Sequence, residues 1–130
     1  MDDIYRETIL DYYRHPHNKE TIDHPDVTFT DVNPLCGDAV GIHLALRGTM
    51  IEKARFSGNG CAISQAATSM LCEHVEGKTL AEAKTLTRED ITEMLGIQLT
   101  PVRLKCALLG LHVLHKGIAD YEKKRAPADL

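Results

Sequence analysis

Cys36, Cys61 and Cys106 each stand where a chain element begins or turns. They lie inside Asn33-Pro34-Leu35-Cys36-Gly37-Asp38, Gly58-Asn59-Gly60-Cys61-Ala62-Ile63-Ser64 and Pro101-Val102-Arg103-Leu104-Lys105-Cys106. A thiolate held at such a place is available for chemistry, whereas a core cysteine is inert. In an extended segment residues i and i+2 point to one side, so Cys36 and Asp38 aim at one point and Gly37 leaves it uncrowded. Cys61 follows Gly58-Asn59-Gly60 and opens a helix, where unpaired N–H groups and the helix dipole favour thiolate over thiol. Cys106 falls in about the second turn of the last helix. Three thiolates and one carboxylate make a four-ligand set suited to zinc or to iron with bridging sulfide.

Such a set carries more negative charge than Zn2+ or a diferric two-sulfide core can neutralise, and a surplus is expensive to desolvate. Arg103 and Lys105, just before Cys106, are the candidates to offset it and to lower the cysteine pKa values. Arg103 is at i−3 and shares a helix face with Cys106, whereas Lys105 is about 100° away and needs its long reach.

These residues need elements to position them. Ile4, Tyr5, Thr8, Ile9 and Tyr12 fall at helical spacing, and Pro16 with Asn18 closes that segment. The period then changes. Val27, Phe29 and the alternation of Val40, Ile42, Leu44 and Leu46 against Gly41, His43, Ala45 and Arg47 predict half-buried strands. Arg47-Gly48-Thr49 is the expected hairpin turn into a third strand over 51–56. After Gly60 the period is helical again, with rows Ala62, Ala66, Met70 and Ile63, Ala67, Leu71. Short helices are expected over 80–84 and 88–95, the second opened by Thr87 with Asp90 three residues on. Thr100 and Pro101 read as N-cap and first helical residue. The last helix is expected to turn Leu104, Ala107, Leu108, Leu111, Leu114 and Ile118 inward and to dissolve into a charged tail from Tyr121. Strands grouped before helices predict an α+β fold, a small three-stranded antiparallel sheet packed against four to five helices.

At 130 residues and 43% hydrophobic content, one domain over 1–130 is expected. The net charge of -4 argues against a partner bound through phosphates, so no nucleic acid is expected. No apolar run is long enough for a membrane span, and the acidic Met1-Asp2-Asp3 is unlike a secretory leader, so the expectation is a soluble, cytoplasmic protein with reduced thiols. Cys72 follows Cys61 by eleven residues, about 16 Å along a continuous helix, too far to share one metal, and is read as a core thiol. The histidines at 15, 17, 24, 43, 74, 112 and 115 are read as non-ligands. Ser64 and Ser69 lack a nucleophile-elbow pattern, and no deaminase-type His-x-Glu with Cys-x-x-Cys is present.

Leu35-Cys36-Gly37-Asp38, Ala54-Arg55-Phe56 before Gly60-Cys61-Ala62-Ile63-Ser64, and Lys105-Cys106 resemble the U-type iron–sulfur cluster assembly proteins: IscU, SufU and the N-terminal domain of NifU. The resemblance runs from Ile4-Tyr5-Arg6 to Tyr121-Glu122-Lys123. It implies an α+β fold with a three-stranded sheet. It also implies a [2Fe-2S] cluster or a zinc ion at Cys36, Asp38, Cys61 and Cys106, and a cysteine desulfurase as sulfur donor. The protein is then a scaffold or sulfur-transfer protein, not a conventional enzyme, that hands a cluster to recipient apo-proteins.

The two branches of that family are mixed here. A lysine before the last cysteine, with Arg103 two residues earlier, is similar to SufU, whereas IscU-like members carry histidine at that position. The direct passage from Leu95-Gly96-Ile97-Gln98-Leu99 into Thr100-Pro101, without the SufU insertion, is similar to IscU. Leu99-Thr100-Pro101-Val102-Arg103 resembles the segment that an Hsp70-type chaperone grips in IscU. In the implied mechanism a thiolate, Cys36 first and Cys106 second, attacks the desulfurase persulfide. Arg103 and Lys105 steady the anions, and Asp38 is a hard, displaceable ligand. The alternatives are a zinc-dependent sulfur acceptor of the SufU type without a stable cluster, and a non-catalytic structural zinc module.

Overall fold

The computed structural model describes residues 2–34 and 37–125, the side chains of 2–5 excepted. The elements run α1 (Asp2–Arg14), β1 (Val27–Asn33), β2 (Asp38–Arg47), β3 (Met50–Asn59), α2 (Ala62–Val75), α3 (Leu80–Lys84), α4 (Arg88–Leu95) and α5 (Pro101–Arg125). The fold is α+β, as expected: a three-stranded antiparallel sheet in the order β1-β2-β3, with five helices. Among the described residues no helix is long and apolar enough to cross a membrane.

The alternation read in the second strand holds: Val40, Ile42 and Leu44 are buried while His43 faces outward on the polar side. β3 departs from strict alternation. Ile51, Ala54 and Phe56 are all inward because the register shifts between Ala45 and Leu46, so that Lys53 faces Ala45 and Ile51 faces Leu46. The extra residue of this bulge switches the inward phase from odd to even positions. β3 also continues past Phe56 to Asn59, where Asn59 pairs with Ala39. That extension brings the β3–α2 junction level with the start of β2.

α2 and α5 cover the inner face of the sheet. α2 carries more than the two expected rows, since every residue from Ser64 to Cys72 is buried. Its buried hydroxyls are satisfied: Ser64 Oγ donates to Cys61 O (3.2 Å), Thr68 Oγ1 to Ser64 O (2.8 Å) and Ser69 Oγ to His17 O (2.6 Å), whereas the buried Gln65 Nε2 has no partner among the described residues. The hydroxyls thus cost little inside. α5 buries Ala107, Leu111, Leu114 and Ile118 as expected, while Leu104 and Leu108 are only half-buried and Cys106, Leu109, Gly110, Val113 and Gly117 are buried as well, so its inward face is wider than the one expected. Gly110 is the reason: a Cβ there would meet Thr68 Oγ1 at 2.6 Å, so α5 lies on α2 along its glycine side.

The expected tail from Tyr121 is instead helix as far as Arg125. Tyr121 packs on the core under the Arg125 guanidinium, 5.6 Å from the ring centre, and Glu122 pairs with Lys84 at 3.0 Å. These contacts hold a segment whose composition alone reads as solvated. The two short helices match the expected bounds, and both Thr79 with Glu82 and Thr87 with Asp90 form reciprocal capping boxes.

Candidate functional site

The start of β2, the β3–α2 junction and the second turn of α5 meet at one end of the sheet. Asp38 is the first residue of β2 and is only 1% exposed. Its Oδ1 accepts the Cys61 N–H at 2.9 Å, and Cys61 Sγ lies 3.6 Å from its Oδ2. Cys61 is the N-cap of α2 with no side-chain cap bond, so its sulfur stays free of the helix while its backbone is fixed to the carboxylate. Cys106 is fully buried, not held out as its place early in a helix led one to expect, because α5 packs this turn inward. Ligand atoms of Asp38, Cys61 and Cys106 all lie within 4.8 Å of one another.

Two glycines make that approach feasible. Gly58 has φ +120°, and a Cβ on it would stand 2.0 Å from Ala39 O, so only glycine lets β3 close on β2 there. A Cβ on Gly60 would stand 2.4 Å from Ser64 Oγ and 2.6 Å from Asp38 Oδ1. That the Gly58-Asn59-Gly60 run precedes a helix was legible, but its role as the seat of Asp38 was not, because Gly58 and Asn59 belong to β3 and the fit depends on a strand register.

The donor set fits the metals expected from the sequence. A tetrahedral zinc with sulfur at ~2.3 Å and oxygen at ~2.0 Å sets those two atoms about 3.5 Å apart, and Cys61 Sγ and Asp38 Oδ2 stand at 3.6 Å. Two sulfurs and a carboxylate oxygen match zinc or an iron–sulfide core in softness. Cys36 lies outside the described residues, and Asp38 and Cys106 keep further interactions of their own. Arg103 and Lys105 are exposed on the first turns of α5. Among the described residues neither pairs with a carboxylate.

The residues read as bystanders are elsewhere. Cys72 is 1% exposed, and burial pushes its thiol far above the ordinary range, so it is inert. His43 is held between Thr28 Oγ1 (2.8 Å) and Ser57 Oγ (3.0 Å) on the polar sheet face, with burial lowering its pKa. Ser69 is occupied by the backbone of His17, donating to its oxygen and accepting its N–H at 2.8 Å. Missed by the sequence reading was the brace that Pro16-His17-Asn18 builds. His17 Nδ1 meets Glu73 Oε2 at 2.5 Å, Tyr12 donates to Glu73 Oε1 at 2.6 Å, and Asn18 binds β3 by Nδ2 to Ala54 O (3.0 Å). It fixes α2, and hence Cys61, against both α1 and the sheet.

The model of the NifU-like N terminal domain matches residues 4–128. The chain is 33% identical to the zinc-dependent sulfurtransferase SufU of Bacillus subtilis (strain 168), over 94% of each chain. It is 34% identical to the iron-sulfur cluster assembly scaffold protein IscU of Escherichia coli (strain K12), over 93% of this chain and 96% of that one. Among solved structures, a candidate iron-sulfur cluster assembly scaffold for the SUF system from Fervidobacterium Islandicum AW-1 superposes with a TM-score of 0.75 at 28% identity, covering 86% of this chain and 94% of that one. Sequence, fold and the sulfur-and-carboxylate cluster agree that the chain belongs to the NifU-like N-terminal domain family, that of the scaffolds and SufU-type sulfur acceptors of iron–sulfur cluster assembly.

Proposed function

We propose that this protein accepts sulfur from a cysteine desulfurase and assembles a [2Fe-2S] cluster at Cys36, Asp38, Cys61 and Cys106 for transfer to recipient apo-proteins. The observation that carries the reading is the convergence of Asp38, Cys61 and Cys106 within 4.8 Å at one end of the sheet. Three elements distant in sequence deliver two soft donors and one hard one to a point, and Cys36 is two residues from Asp38 on the connection leading to the same place. The cluster is cargo, so the set must both hold it and let it go. Thiolates hold iron strongly, while a single carboxylate oxygen is the donor most easily displaced.

Sulfur enters by thiol exchange. An acceptor thiolate attacks the outer sulfur of the donor persulfide, the sulfur–sulfur bond of the donor breaks, and the donor cysteine leaves as thiolate. Cys36, on the connecting segment, is the first acceptor. Cys106, fully buried, is the second and suits retention of a delivered sulfur. Arg103 and Lys105 supply the positive field around the anions from the exposed side of α5. Incubating the protein with cysteine and a cysteine desulfurase and reading the intact mass tests this. One added sulfur, lost in Cys36→Ser, is expected; no sulfur uptake by the wild type would sink the reading.

One observation favours a second reading, sulfur transfer with a resident zinc ion in place of a stable cluster. Lys105 stands immediately before Cys106, and a protonated lysine has no lone pair to offer a metal. The site then has three thiolates and Asp38 and no histidine to exchange for a ligand during cluster handling. In that case Cys36, Asp38, Cys61 and Cys106 hold the zinc, which keeps the thiols deprotonated when bound. Sustained acceleration of the desulfurase by a colourless protein is its signature. A purely structural zinc module, by contrast, would take up no sulfur.

A further inference from the structure

The sheet has two edges, and they are finished differently. Along β3 the outward backbone groups are taken: Ile51 N–H by Lys78 O and Ile51 O by Gly77 N–H (both 2.8 Å), Thr49 O by Leu80 N–H (2.9 Å), and Phe56 N–H by Asn18 O (2.9 Å). Ala54 donates to Glu76 Oε2 (2.9 Å) and accepts from Asn18 Nδ2 (3.0 Å). That edge is sealed. Along β1 the Val32 N–H turns onto the carboxylate of its own neighbour, Asp31 Oδ1, at 2.8 Å. By the two-residue alternation of an antiparallel ladder, Thr30 and Thr28 face the same way. Among the described residues no other segment hydrogen-bonds its backbone to that side.

Beside this open edge runs a groove of about 350 Å³ between the end of β1 and α5, lined by Asp31, Val32, Pro34, Lys105, Leu108 and His112. Val32 is 55% exposed, one of three large apolar side chains left so open among the described residues. Lys105 is exposed at the mouth and pairs with no described carboxylate, while Asp31, the acid present, is engaged with His112 at 3.3 Å. The α5 wall reaches the site where Lys105 adjoins Cys106, a member of the converging group, and Pro34 on the other wall is two residues before Cys36 in the chain.

We propose that the outer edge of β1 and this groove dock an extended acidic segment of the sulfur-donating partner as a fourth strand. Its backbone pairs with Thr28 and Thr30 and takes the Val32 N–H from the Asp31 carboxylate that holds it at 2.8 Å, one apolar side chain enters between Pro34 and Leu108, and a carboxylate meets Lys105. Strand addition aligns the segment along β1, so the chain that follows it arrives at the thiol cluster. The occupant rests on the sulfur-acceptor reading above. The acidic character follows from the unpaired ammonium at the mouth, and the extended form from the free edge.

The test is amide hydrogen exchange of the full chain, alone and with a purified cysteine desulfurase, together with affinity for two variants. Val32→Pro removes the outward donor, and Val32→Asp leaves the ladder intact and sets a like charge in an acidic strand's path. Protection of the Thr28, Thr30 and Val32 amides in the complex and a loss of about tenfold in affinity for both variants are expected, with metal content unchanged. A desulfurase that binds wild type and both variants equally, with β1 unprotected, overturns the docking slot and leaves sulfur acceptance standing. Protection of β1 in the protein alone, rising with its concentration, assigns the edge to a second copy and overturns the proposed occupant. Failure of the wild type to bind any desulfurase, measured beside a null sulfur-uptake result, overturns both.

Discussion

At the level of single residues, Asp38 is the most demanding position in the molecule. A carboxylate that is 1% exposed pays a desolvation cost that only compensating donors can offset, and the Cys61 N–H at the start of α2 is one of them. It therefore orders the β3–α2 junction as well as placing a carboxylate oxygen in the candidate metal group. Asp38→Ala removes the hard ligand and leaves the thiols, so the cluster is expected to form and persist longer while its transfer to an apo-protein slows about tenfold or more. Absorbance decay with and without an acceptor protein measures both. A cluster no longer-lived, passed on as fast as in the wild type, would remove the displaceable-ligand role. The grouping of Asp38, Cys61 and Cys106 was legible from residue types and spacing, while Cys36 lies outside the described residues. The seating of the site was not. That a Cβ on Gly60 would strike both Ser64 and Asp38 follows from where β2 and β3 fall in register, which no local pattern states.

At the level of elements, the contact between α2 and α5 sets where Cys106 stands. Gly110, one turn beyond Cys106, faces Thr68 at a separation that admits no Cβ. Gly110→Val is expected to force the helices apart, cost about 1–3 kcal/mol in denaturant unfolding, and weaken metal binding by displacing the Cys106 turn. Val102→Ala, on an exposed side chain of the same helix, should change stability by less than about 0.5 kcal/mol. Equal midpoints for the two would show that the close crossing is not needed. Helix positions and types followed from periodicity and caps, and the short helices at Leu80–Lys84 and Arg88–Leu95 matched to the residue. What failed was long-range. The β3 bulge, the extension to Asn59, the wider inner face of α5 and its continuation to Arg125 all depend on partners far away in the chain. Local periodicity carries no information about them.

At the level of the whole molecule, the brace of Tyr12, His17 and Glu73 joins the N-terminal helix to the helix that opens with Cys61. Burial pushes the Glu73 carboxyl up, but hydrogen bonds from Tyr12 and His17 outweigh it and leave the pKa below the ordinary 4.5. The charged form is therefore favoured by folding. Its contribution is fully present above about pH 4.5 and fades as pH falls through the depressed folded value. Tyr12 shows the converse: its bond to Glu73 raises its pKa from 10.0 to about 12, so its share is complete below pH 10 and fades as pH rises toward 12. Glu73→Gln should thus lower the denaturant midpoint near neutral pH and lose its difference from wild type in acid. A difference that stays constant with pH would mean that the carboxylate acts by shape alone. The two sheet edges belong to the same scale, one sealed by the chain and one left for a partner. The central claim is that the four ligands build a cluster, and the direct measurement is an anaerobic absorption spectrum after incubation with ferrous iron, cysteine and a cysteine desulfurase, with Cys106→Ser alongside. Visible charge-transfer bands of a [2Fe-2S] cluster in the wild type and not in the variant are the predicted result. A colourless wild type that retains one zinc and still accelerates the desulfurase would contradict it.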